Sequence, residues 1–299
     1  MTGLQKHWMW FFVLFAVSLL LGGSSFLRTL ALAWGNDEYT HILLILPLSI
    51  ALVCLDRRVV SRADVWDFRV GPSLVLTAGA LCGGAWFWSS SMTADVRFAV
   101  NVFALVLSWI GIFVLCFGLR AAQALLFPLL FLFALVPLPG NVLAYAISFL
   151  QIGSAWSTHA LFAICGVPVV QQGVMLTIPN LTIQVAQECS SIRSSSMLLI
   201  TTMVLAHLLL RSPWRKVLVI ALAVPLSVAK NGLRIFAIAM LGTRVDPAFL
   251  TGRLHRHGGI IFFIIALLGI FALLAILQMR ENLRKLSNPD RIPAGVAGD

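Results

Sequence analysis

Apolar runs of membrane-crossing length recur along this chain, and they restrict its fold more than any other feature. A bilayer's hydrocarbon core is about 30 Å thick, which a helix crosses with about 20 apolar residues. Runs near that length stand at Trp8–Leu27, Gly71–Ser90, Phe98–Phe117, Ser190–Leu210, Val217–Met240 and Gly258–Met279, with shorter ones at His41–Leu55 and Ala121–Pro137. In lipid only helices and closed barrels satisfy every backbone polar group. A barrel would show short alternating segments in series, and these are absent. The sequence therefore predicts an all-α polytopic membrane protein whose core is the helix bundle itself. Composition agrees, since 60% of the 299 residues are hydrophobic and only 11% are charged.

Two segments break the pattern. Asn141–Cys165 is less uniformly apolar than its neighbours. Gly166–Gln187 holds Val-Pro-Val-Val, Gly173, Pro179 and the alternating Leu181-Thr182-Ile183-Gln184-Val185, which reads as a small extended or hairpin element. At the N-terminus Lys6 and the stretch Trp8–Leu21 resemble a signal peptide. The apolar stretch is long and no small-x-small cleavage site follows, so an uncleaved first helix is expected. Residues 1–279 read as one membrane domain. Arg280–Asp299, polar with proline and glycine, reads as a disordered cytoplasmic tail.

Charge sets the topology. Arg57, Arg58, Arg62 and Arg69, then Arg120, then Arg211, Arg215 and Lys216, then Arg280, Arg284 and Lys285 fall between or after apolar runs. The positive-inside rule puts them all in the cytoplasm, together with the N-terminus. The loop at Asn36–Glu38, the stretch Pro137–Gly140 and the segment Gly166–Gln187 then lie outside. An odd number of crossings separates the fifth run from the Arg211 loop, and Ser190–Leu210 supplies one. Asn141–Cys165 is therefore expected to be an interfacial or re-entrant helix on the outer side, leaving about eight transmembrane helices. The same rule explains the net charge of +10 without nucleic acid, since no basic stripe interleaves with aromatics.

Candidate chemistry gathers near the C-terminus. Cys54, Cys82, Cys116 and Cys165 sit in apolar context and read as small hydrophobes. Cys189 differs, lying within Gln-Glu-Cys-Ser-Ser-Ile-Arg-Ser at the start of an apolar run. A helix N-terminus favours the thiolate, and Arg193 four residues on favours it further, while Glu188 opposes it. An inert cysteine at a helix start is the plain alternative. Arg234 lies inside the next run, three residues after Asn231 and four after Lys230. Ionisable residues at that depth are costly and mark function. Arg234 is either a structural partner of Glu188 or a fixed donor fork for an oxyanion. His255 and His257 precede the last run, and a histidine is the natural base for a thiol. A His-x-His metal site lacks a full ligand set, and no cofactor motif is present. His7, His41, His159 and His207 read as interfacial or packing residues. By the charge-derived topology Cys189, Arg234 and His255 all fall near the outer face.

The blocks Glu188-Cys189-Ser190-Ser191-Ile192-Arg193-Ser194, Asn231-Gly232-Leu233-Arg234-Ile235 and His255 with Gly259 four residues later resemble those of the exosortase/archaeosortase family. These are transmembrane cysteine transpeptidases. Asp37–His41, Phe127–Pro139 and Arg211–Arg215 also have family counterparts, so the resemblance spans about residues 36–278. Ser191 stands where the family usually has glycine, and Arg256 and His257 depart from the usual residues after the histidine. The base is thus assigned to His255 with His257 as its alternate. The resemblance implies that Cys189 attacks a peptide bond of a C-terminal sorting signal of the PEP-CTERM kind: a short motif, a transmembrane helix and a basic tail. Arg234 would stabilise the oxyanion and His255 would move the proton. The resulting thioester would pass to an unknown amine, another acceptor or water, on the outer face of a bacterial cytoplasmic membrane. Two readings compete: a transporter or channel, with Lys230, Asn231 and Arg234 along an anion path and Pro225 and Gly232 loosening the helix, and an exopolysaccharide export or assembly factor with an inert cysteine.

Overall fold

The computed structural model describes residues 3–61, 66–179, 181–185, 192–251 and 259–286. It is helical apart from one small sheet, as the apolar runs predicted, and divides into two compact units, residues 1–144 and 145–299. Seven described helices are long and apolar enough to cross a membrane, and a bent helix pair raises the number to as many as eight.

The first unit holds α1 (Gly3–Gly35), α2 (Ile42–Leu55), α3 (Arg57–Ser61), α4 (Val70–Phe87), α5 (Ala94–Ala124) and α6 (Leu126–Phe131). Its most buried element is α5, whose Trp109, Phe113 and Phe117 meet Phe11 and Phe15 of α1. Helices in lipid gain nothing from burying apolar surface against each other, so close packing must hold them, and small residues permit it. On α4 a methyl group at Gly71 would fall 2.6 Å from Leu115 Cα, and one at Gly111 would fall 3.0 Å from the Gly71 carbonyl. Hence α4 and α5 touch backbone to backbone. At Gly118 the chain of α5 takes φ 81°, which only glycine adopts cheaply. The break interrupts the helical ladder, and the Cys116 carbonyl is bonded instead by His7 Nδ1 at 2.6 Å.

The fifth apolar run differs from expectation. Ala121–Pro137 is not one helix: α5 continues through Ala124, and α6 with a 3-10 turn ends at Leu135. Ten residues at about 1.5 Å each are half a bilayer. Proline is the reason, because Pro137 and Pro139 cannot continue a helical ladder. After a 98° bend the chain resumes as α7 (Gly140–Ile164). Asp95 accepts the Gly140 N–H at 2.6 Å, and the Tyr39 hydroxyl donates to the Leu138 carbonyl, so the bend is fixed by side chains. Among the other four cysteines, only Cys116 is buried. Cys54, Cys82 and Cys165 are exposed.

The second unit begins within α7 and continues through β1 (Val170–Gln172), β2 (Met175–Ile178), β3 (Leu181–Gln184), α8 (Ile192–Leu209), α9 (Pro213–Arg244), α10 (Ala248–Thr251) and α11 (Gly259–Leu286). Gly166, at φ 70°, closes α7: Val167 N–H reaches the Phe162 carbonyl and Gly166 N–H the Ala163 carbonyl. The three strands are antiparallel in the order β1-β2-β3, with Leu176 opposite Ile183 and Thr177 opposite Thr182. Alternation seats them: Leu176 and Ile178 are buried against Ala155 and Phe162 of α7 and Ile235 and Ala239 of α9, while Met175 and Thr177 face outward. A separate core joins α8, α9 and α11 through Leu198, Ala206, Val219, Ile270 and Leu274. Glu281 at the far end of α11 accepts the N–H groups of Arg211 and Ser212 and pairs with buried Arg215 at 3.4 Å. The last helix thus passes the expected tail start at Arg280 and runs to Leu286. Residues 287–299 lie outside the described residues.

Candidate active site

Three polar side chains within one turn of an apolar helix need partners, since an unmet polar group in a membrane interior is expensive. On α9 each of Lys230, Asn231 and Arg234 turns to a different neighbour. Buried Lys230 donates from Nζ to Ser194 Oγ on the first turn of α8, one turn from where Ser227 Oγ donates to Ser195 Oγ at 2.6 Å. Asn231, 2% exposed, donates from Nδ2 to Ser154 Oγ on α7 at 2.9 Å. Ser154 spends its own proton on the Leu150 carbonyl at 2.6 Å, so only its lone pairs remain for Asn231. Thr158 Oγ1 bonds the Ser154 carbonyl at 2.7 Å and reaches the Gly232 carbonyl at 3.2 Å.

Gly232 makes this seam possible. A methyl group there would fall 2.5 Å from Ser157 Cβ and 3.1 Å from the Thr158 nitrogen. Its role is close approach of α9 to α7, in place of the helix loosening that the transporter reading gave it.

Arg234 faces a third direction. It lines a pocket of about 200 Å³ with β3, Ile235, Ile238 and Ala239 of α9, and Leu250 of α10. A methyl group placed on Gly259 would come within 3.8 Å of Arg234 Nη1, so the guanidinium lies beside the first residue of α11. The walls are mostly aliphatic. A guanidinium in such surroundings is screened less than in water and acts more strongly on any nearby charge. Its planar fork offers N–H donors in fixed directions. Lys230 stands four residues before Arg234 on the same helix.

Of the residues singled out from sequence, Arg193, Asn231 and Arg234 are described, whereas Cys189, Glu188, His255 and His257 lie outside the described residues. Arg193 is exposed on the first turn of α8. Asn231 ties α9 to α7, and Arg234 borders the pocket. Among the described residues no group of three or more histidine, cysteine, aspartate or glutamate side chains is arranged to hold a metal.

These features sit where the sequence comparisons point. The family profile of the transmembrane exosortases matches residues 34–272. The chain belongs to the transmembrane exosortase family. That match embraces α2 to α10, the sheet, and the part of α11 that abuts Arg234. No curated protein sequence and no solved structure matches the chain significantly.

Sequence reasoning missed Ser154, the pairing of Ser194 with Lys230 and the β3 wall of the pocket. Only a weak signal existed for each. Ser154 and Thr158 are among several polar residues of Asn141–Cys165, and their i, i+4 spacing puts both on one face. Ser194 stands in a run of three serines at a helix start, with nothing local to mark Lys230 as its partner.

Proposed function

We propose that this exosortase cleaves C-terminal sorting signals of membrane-anchored proteins, using Cys189 as nucleophile on the outer face of a bacterial cytoplasmic membrane. What supports the reading is a convergence of described residues on Arg234. The strand β3, which leads to Cys189 five positions after Gln184, forms one wall of its pocket. Gly259, which follows His255 by four positions, lies against its guanidinium. Extended chain covers about 3.5 Å per residue, so both tethers are short.

The reaction runs as an acyl transfer. His255 removes the Cys189 proton, with His257 as its alternate, and the thiolate attacks the scissile carbonyl. Arg234 donates N–H groups to the oxygen as it gains negative charge. The tetrahedral intermediate collapses, the carbon–nitrogen bond breaks, and the histidine returns the proton to the departing amine of the transmembrane tail. An amine, another nucleophile or water then attacks the thioester and restores the thiol. Arg193 and the start of α8 favour the thiolate; Glu188 borders it; Asn231 keeps α9 in place. A substrate whose tail is itself a helix reaches such a site laterally through the bilayer.

The test is processing of a co-expressed reporter bearing a short motif, a transmembrane helix and a basic tail, read by gel shift. Parent enzyme shortens the reporter and Cys189→Ala does not. Equal processing by both removes Cys189 from the mechanism.

A further inference from the structure

The outer edge of β3 has a defined polarity. Val185 N–H bonds the Val174 carbonyl at 3.0 Å, so residues 174 and 185 form a hydrogen-bonded pair of the β2–β3 ladder. Such pairs alternate along an antiparallel ladder. Leu176 with Ile183 and Ile178 with Leu181 are therefore hydrogen-bonded, whereas Met175 with Gln184 and Thr177 with Thr182 are not. The N–H and C=O groups of Thr182 and Gln184 consequently point away from β2. Among the described residues β3 pairs with no other strand. Both residues also line the Arg234 pocket.

We propose that the substrate's segment just outside its transmembrane helix adds as a fourth strand to β3, pairing with Thr182 and Gln184 and placing one acidic side chain in the pocket. Strand addition supplies main-chain bonds, and the pocket supplies selectivity. Substrate residues opposite Thr182 and Gln184 point outward as those two do. The residue between them points the other way, as Ile183 does, toward α9 and into the pocket. Its size and walls define what fits. A cavity of about 150 Å³ takes a benzene molecule, and this one of about 200 Å³ takes one side chain. Ile235, Ile238 and Leu250 suit an aliphatic stem, and Arg234 suits a carboxylate at its end. This inference rests on the cleavage reading, and the experiment separates the two.

The test uses full-length Cys189→Ala protein in membranes with a reporter chosen because the parent enzyme cleaves it. Thr182→Cys or Gln184→Cys is added, single cysteines are scanned through the reporter's juxtamembrane segment, and disulfide formation is read by gel. Strand pairing gives cross-links that alternate with a period of two, roughly fivefold between neighbouring positions, because opposed Cβ atoms lie about 5 Å apart and neighbours face away. A flat profile, a helical period, or no cross-link above protein lacking the introduced cysteine overturns the proposal. In the parent, Thr182→Pro deletes one outward N–H without touching the β2 ladder and raises KM about three- to tenfold with kcat little changed. Glutamine in place of the pocket-facing acid raises KM about tenfold, and an unchanged KM in either case counts against the docking. If cross-links are flat while Cys189→Ala abolishes cleavage, docking falls and the chemistry stands. If they alternate while Cys189→Ala still cleaves, docking stands and the thiol mechanism falls.

Discussion

Replacing Gly232 by alanine tests how tightly α9 is held against α7 behind the pocket. The new Cβ would fall 2.5 Å from Ser157 Cβ and 3.1 Å from the Thr158 nitrogen. Carbon atoms rest about 3.5–4.0 Å apart, so the helices must separate by about 1 Å. That shift would carry the Asn231–Ser154 bond, now 2.9 Å, and the Thr158–Gly232 bond, now 3.2 Å, past hydrogen-bonding range. Overpacking costs about 1–3 kcal/mol and the weakened bonds about 1 kcal/mol each, against a gain of about 1 kcal/mol in helix propensity. A net loss of about 3 kcal/mol follows. Ser157→Gly removes the obstructing atoms. The double variant Gly232→Ala/Ser157→Gly should therefore recover most of the loss, with a coupling of about 1–2 kcal/mol. Thermal unfolding of the four proteins in detergent measures the cycle, and reporter cleavage should fall and recover in parallel. Parent-like stability of Gly232→Ala, or additive losses in the double variant, would refute the close-approach argument.

Other perturbations probe separate parts of the account. Lys230→Met removes a buried charge, so stability in detergent holds or improves. Cleavage falls roughly tenfold as the first turn of α8 loses its tie to α9, and full activity would show that the Ser194 contact is idle. Glu281→Ala strips the start of α9 of an acceptor and leaves Arg215 buried without its carboxylate; a loss of about 2 kcal/mol in thermal unfolding is expected. Asp67 accepts the N–H groups of Val70 and Arg69, which hold its carboxyl below the usual carboxylate range. A depressed folded value means that its contribution is present above the unfolded pKa and lost as pH falls through the folded one. Circular dichroism should show the parent losing helix near α4 at strongly acid pH, and Asp67→Ala should remove that step.

The spanning helices were legible because a bilayer admits few alternatives to an apolar run of the right length. Their ends were not. Gly118 breaks α5 from within at a positive φ, yet the helix resumes beyond it, so the sequence suggested a boundary where the structure has a kink. The stretch Ala121–Pro137 had the hydropathy of a span but not its geometry. The alternation of Leu181, Thr182, Ile183 and Gln184 announced a strand, because period two is local. Its pairing with β2, and that of β2 with β1, depend on contacts that no local pattern encodes. Within the site, the position of Arg234 inside an apolar helix was legible from its flanking residues. The partners of Lys230 and Asn231 were not: Ser194 and Ser154 are common residues whose meaning comes only from the helix opposite. Gly232 looked like weakness in α9 because its reason, Ser157, stands 75 positions away.

Mass spectrometry of the enzyme during turnover addresses the nucleophile most directly. Purified parent enzyme, mixed with a cleavable reporter and quenched in acid, should yield a peptide containing Cys189 that carries the reporter's new C-terminal acyl group. Hydroxylamine should release that group as a hydroxamate, and Arg234→Ala should cut its rate of formation by about 10²–10³. Cleavage that proceeds with no adduct on Cys189, and continues in Cys189→Ala, would contradict the account.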